Sequence, residues 1–160
     1  LSVARSVSPE EASQPWPRKA RLQVEFVVAD AARQHGHEPS VRVWIENEKG
    51  DIVRALAAWG ADPRETPTAS GARGFFAKRG DAGASRGPGS YVLAWDGKDE
   101  NGQPCHRGTY LVRIEVHVEG GQDADARGEI VCGGAAATRG VPGNAVLSKV
   151  RIVYDDGHGR

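Results

Sequence analysis

The stretch YVLAWDGKDENGQPCHRGTYLVRIEVHVE, Tyr91 to Glu119, decides the fold. Tyr91, Leu93 and Trp95 alternate, and so do Tyr110, Val112, Ile114, Val116 and Val118. Each run therefore has one apolar face, the period-2 mark of a strand. Between the runs, Asp96-Gly97 and Asn101-Gly102 are turn signals. The pattern predicts strand, turn-rich bridge, strand, with the rest of the chain packing on this pair. Trp95 and Tyr110 are expected to be structural, Trp95 in the core. Asp96, Asp99 and Asn101 are expected to bond nearby backbone N–H groups, with Gly102 completing a tight turn.

Working outward, Leu22, Val24, Phe26 and Val28 make a first strand, and Val41, Val43 and Ile45 a second with Trp44 on its other face. Asn47 to Asp51 is a hairpin turn, with Gly50 at a left-handed position. Val53, Ala55, Ala57 and Trp59 alternate as a third strand. Beyond Glu119, GQDADARG reads as a turn, EIVC as a short strand ending at Cys132, and GGAAATRGVPGNA as a small-residue loop. Val146, Ser148, Val150, Ile152 and Tyr154 close the sheet. About seven strands between turn signals predict an all-β fold, an Ig-like antiparallel β-sandwich with long Gly-rich loops. Its expected span is residues 20–155. An extended N-terminal arm covers 1–19 and a C-terminal tail 156–160.

At 160 residues the chain is one domain by length, able to bury roughly 70% of its unfolded surface. Lys+Arg and Asp+Glu both count 21, so the formal net charge is zero. A neutral chain lacks the electrostatic footprint of a nucleic-acid binder. No run approaches the 18 or so apolar residues of a membrane span. The chain opens at Leu1 on a polar segment and holds no Met, which fits either a leader already removed or a trimmed sequence.

Two segments stand outside the strand pattern. The arm carries Trp16 between Pro15 and Pro17, an anchor for its own domain or for a partner. Residues 60–89 form a Gly-, Ala- and Arg-rich loop whose one apolar feature is Phe75-Phe76. Loops of more than about 15 residues are usually functional or disordered. Trp16, Phe75 and Phe76 are accordingly the expected partner contacts.

Candidate chemistry is sparse. Gly83 to Gly87 spells G-x-S-x-G without the flanking strand and helix that a nucleophile elbow needs. His35 and His37 are weak metal candidates, with His117 or Cys132 to complete a site. Asp96, Asp99 and Asn101 imitate a calcium loop but lack its distal bidentate Glu. No catalytic residue and no cofactor are expected. Cys105 and Cys132 can form one disulfide, which would suit an oxidising compartment, or can be small buried hydrophobes.

The segments VRVWIENEKGDIVRALAAWG and GSYVLAWDGKDENGQPCHRGTYLVRIEVHVE resemble a family of predicted periplasmic proteins of unknown function. Its members carry V-x-V-W-[IV]-E-[DN]-x-x-G-x-[LIV]-V-R-x-L-x-x-W-G, then P-G-x-Y-x-L-x-W-D-G-x-D-x-x-G-x-P-V-x-x-G-x-Y. The second half, with its W-D-G hairpin, is also similar to the Ig-like domain of flagellar hook-capping proteins. The resemblance spans roughly Leu22 to Glu119 and is expected to extend to Tyr154. It implies an exported, periplasmic β-sandwich whose genes neighbour membrane flavin-dependent reductases. Cys105 stands where the family usually has Val, and the Gly/Arg loop replaces an aromatic-rich region after W-G. The expected function is a non-catalytic exported binding or structural module, an accessory subunit with protein partners in a membrane-associated complex. The alternatives are an accessory protein of a flavin-dependent membrane redox system and a metal-binding enzyme.

Overall fold

The computed structural model describes residues 8–34, 36–60 and 86–158. Phe75, Phe76, His35 and most of the G-x-S-x-G string lie outside these. After a short helix α1 (Pro9–Ala12) the strands are β1 (Arg21–Val28), β2 (Ser40–Glu46), β3 (Ile52–Trp59), β4 (Gly89–Trp95), β5 (Gly108–His117), β6 (Ala124–Cys132), β7 (Ala137–Val141) and β8 (Leu147–Asp155). They form two antiparallel sheets, β4-β1-β8-β7 and β3-β2-β5-β6. The protein is an all-β sandwich. No helix among the described residues is long and apolar enough to cross a membrane.

The period-2 pattern explains the packing. Leu22, Val24, Phe26 and Val28 of β1 face Val112, Ile114 and Val116 of β5 across the core, and all are buried. Each such side chain contributes about 1.5–3 kcal/mol by leaving water. Ile152 and Tyr154 of β8 complete the same layer.

Four features differ from the sequence reading. First, β4 and β5 do not pair as a W-D-G hairpin; they belong to opposite sheets. The long bridge between them lets the chain cross, so Trp95 and Tyr110 meet through the core, ring centroids 5.2 Å apart. Second, an eighth strand, β7, forms where a loop was expected, because Ala137 to Val141 complete the free side of β8. Third, β6 begins at Ala124, inside the expected turn, since Val116 pairs with Ala124.

Fourth, β3 does not alternate regularly. Its register against β2 shifts between Val43 and Trp44 and again between Ile45 and Glu46. These bulges put Val53, Leu56 and Trp59 against the core and Ile52, Ala55 and Ala58 on the outer face. An extra residue in one strand changes which side the next side chains point to.

Candidate functional site

The base of the sandwich is built around Trp16. Its backbone N–H donates to the Cys105 carbonyl at 2.8 Å, and the Arg107 N–H donates to the Gln14 carbonyl at 2.9 Å. The arm is thus stitched to the bridge that leads into β5. The Trp16 indole N–H donates to the Ala20 carbonyl at 3.1 Å. Its ring lies 4.8 Å from Trp95, 6.0 Å from Tyr110 and 5.5 Å from Tyr154. Trp16 is only 6% exposed. This corrects its expected role as a partner contact: it fills its own domain's core. It also moves the start of the packed unit back before residue 20. The physical reason is room. Gly97, at φ +83°, has no Cβ, and one added there would stand 2.2 Å from the indole.

Beside this cluster sit the two cysteines, both free thiols. Cys132 is sealed in the core, and Cys105 is half-buried against it. The disulfide alternative is therefore not what the structure holds; both side chains pack as small apolar groups. Burial, then the nearby Asp99 carboxylate, pushes the Cys105 thiol up to about 11. Burial alone pushes Cys132 up. The Tyr110 hydroxyl donates to the His106 carbonyl at 2.5 Å, and burial followed by the two thiols raises its pKa.

The bridge carboxylates serve its own backbone. Asp96 Oδ1 accepts from the Lys98 N–H at 3.0 Å. Asp99 Oδ1 accepts from Asn101 at 2.9 Å and Gln103 at 3.0 Å. The Trp95 indole, 1% exposed, donates to the Lys98 carbonyl at 2.8 Å. Gly97 and Gly102 hold φ of 83° and 80°, the left-handed region where glycine is unstrained. Asn101 itself is exposed. The bridge also seals the free side of β3: the Glu100 N–H donates to Val53, the Ala55 N–H donates to the Glu100 carboxylate at 2.8 Å, and Arg54 donates to the Asp99 carbonyl.

At the opposite end of β5, a cleft of about 410 Å³ is lined by Gln34, Val118, Asp123, Asp125 and Asn144, among others. Asp123 Oδ1 accepts from the Val118 N–H at 3.0 Å and lies 2.7 Å from His117 Nδ1. Asn144 Oδ1 accepts from the Val146 and Leu147 N–H groups. His37 is exposed and bonds Gln34 through backbone only. Among the described residues no group of three or more His, Cys, Asp or Glu is placed to hold a metal ion.

The outer face of β2 carries a constellation that sequence reasoning missed. Arg42, Trp44 and Glu46 point away from the core, yet are 1%, 0% and 6% exposed. The Trp44 indole donates to Glu46 Oε2 at 2.7 Å. Arg113 of β5, directly opposite Trp44, lies over its ring at 5.5 Å and within 3.5 Å of Glu46. Arg42 Nη1 donates to the Trp59 carbonyl at 2.7 Å. The available signal was the Arg-x-Trp-x-Glu alternation on a strand whose other face is Val, Val and Ile. A strand buried on both faces needs its outward polar groups paired.

No curated protein and no solved structure matches the chain. Residues 21–149 match a family described as predicted periplasmic protein (DUF2271). That span takes in β1 through β7 with the Arg42–Glu46 face and the Trp95–Tyr110 bridge, and it assigns the periplasm. This sandwich belongs to the DUF2271 family of predicted periplasmic proteins.

Proposed function

We propose that this chain is a non-catalytic periplasmic binding module, an accessory subunit of a larger protein assembly. The observation that carries the reading is the commitment of its polar side chains. Asp96, Asp99, Asp123 and Asn144, the groups that turns and clefts would offer to a substrate, accept hydrogen bonds from the chain's own backbone. A general acid or base needs a free, tuned group within reach of the reacting proton. The thiols are pushed away from the nucleophilic thiolate form. A neutral chain with long loops suits contact with another protein surface.

The test is an assay of the purified chain against ester, phosphate and glycoside panels, with and without added divalent metal. No rate above buffer is expected. A reproducible rate abolished by His37→Ala or Asp99→Ala would overturn the proposal. The accessory role is tested by capture from solubilised native membranes with the tagged chain. A stoichiometric protein that survives salt washing supports it, and recovery of the chain alone counts against it.

A further inference from the structure

The two sheets leave four edge strands, and three of them are guarded. The bridge covers the free side of β3 through Glu100 and Arg54. β6 carries the charges of Asp125, Arg127 and Glu129, and β7 is short and carries Arg139. Charge, brevity and covering loops are the usual means of stopping one edge from pairing with another. The fourth edge, β4, reads GSYVLAW, without a charged residue or a proline. Among the described residues nothing pairs with it beyond β1. Its outward-facing Val92 is 62% exposed, the one large apolar side chain exposed to that degree among them.

We propose that β4 pairs antiparallel with β4 of a second copy of this chain, extending one sheet through both sandwiches. A second copy fits because the strand is complementary to itself. A two-fold axis at Val92 sets Ser90 against Ala94 of its partner, Tyr91 against Leu93, and Val92 against Val92. Small residues on the outer face let the strands approach, and alternate apolar residues continue the core side. Like charges directly opposite one another destabilise a strand pair, and this strand has none to oppose. The next row inward is balanced as well: Val92 pairs with Glu25, whose carboxylate takes Arg151 at 3.0 Å. An isologous contact of this kind closes on itself and stops at a dimer.

The pairing stands independently of the accessory role and of any activity. The experiment is sedimentation equilibrium of the full chain over a concentration series, with Val92→Lys and Val92→Thr alongside. Val92→Lys puts two ammonium groups against each other at the axis. The wild-type chain should dimerise, Val92→Lys should weaken the dimer at least about tenfold, and Val92→Thr should retain it. Because Val92 is exposed in the single chain, the Lys variant should unfold at the midpoint of the wild-type chain diluted to its monomeric range, which separates lost pairing from lost folding. Mild oxidation of Val92→Cys should link two chains through that position. A wild-type chain that stays monomeric up to its solubility limit overturns the proposal. So does a dimer indifferent to Val92→Lys, or β4 protected from exchange only when another protein's strand is added.

Discussion

The indole of Trp16 lies 4.8 Å from that of Trp95, tilted by 56°, so the segment before the first strand closes the end of the sandwich where β4 leaves it. Trp16→Ala should then behave as a core truncation and cost about 3–5 kcal/mol, as Trp95→Ala should. The two share one cavity, so the double variant should cost less than the sum. Urea denaturation checks this. An unchanged midpoint for Trp16→Ala would return the arm to solvent.

Gly97 and Gly102 share a left-handed backbone but not their surroundings. A Cβ at Gly102 meets nothing within 4 Å, whereas one at Gly97 meets the Trp16 ring. Gly102→Ala should cost about 1–2 kcal/mol, the strain of the conformation alone. Gly97→Ala adds displacement of an indole, so its loss should be clearly larger. Equal losses in thermal unfolding would mean that Trp16 is not seated against Gly97.

Glu46 and Arg113 are a buried pair, each side chain 8% exposed. Glu46→Leu leaves a guanidinium without its carboxylate and should destabilise by about 3–5 kcal/mol. Glu46→Gln keeps an acceptor for the Trp44 indole and should cost less. Added salt should hardly alter either value, since buried pairs are weakly screened. A Leu variant as stable as wild type would show that the pair contributes nothing.

The thiols set an alkaline limit. Cys105 ionises near 9.0 when unperturbed and near 11 in the folded chain. A raised folded-state pKa gives stability that is fully present below the ordinary value and is lost as pH rises through the folded one. Denaturation midpoints should therefore fall between about pH 9 and 11. Cys105→Ala should flatten that slope. A wild-type profile level across this window would contradict the burial of the thiol.

Much of this was legible in the residues alone. Alternating Val, Ile and Leu named the inward face of β1, β2, β5 and β8, because the pleat sends successive side chains to opposite sides whatever they later meet. Asp-Gly and Asn-Gly marked the bridge turns, because that chemistry is local. The sequence by itself determined an all-β chain with an apolar core, neutral charge and the DUF2271 pattern. Only the tertiary structure decided which strands share a sheet, since β4 and β5 carry the same alternation whether they pair or cross. Only it decided that Trp16 belongs to the core, because the space it fills is made by Gly97, Tyr110 and Tyr154, which lie far from it in sequence. The same holds for the face of Arg42, Trp44 and Glu46. Their alternation looks solvent-facing until Arg113 arrives from another strand, and burial depends on neighbours that no local pattern specifies.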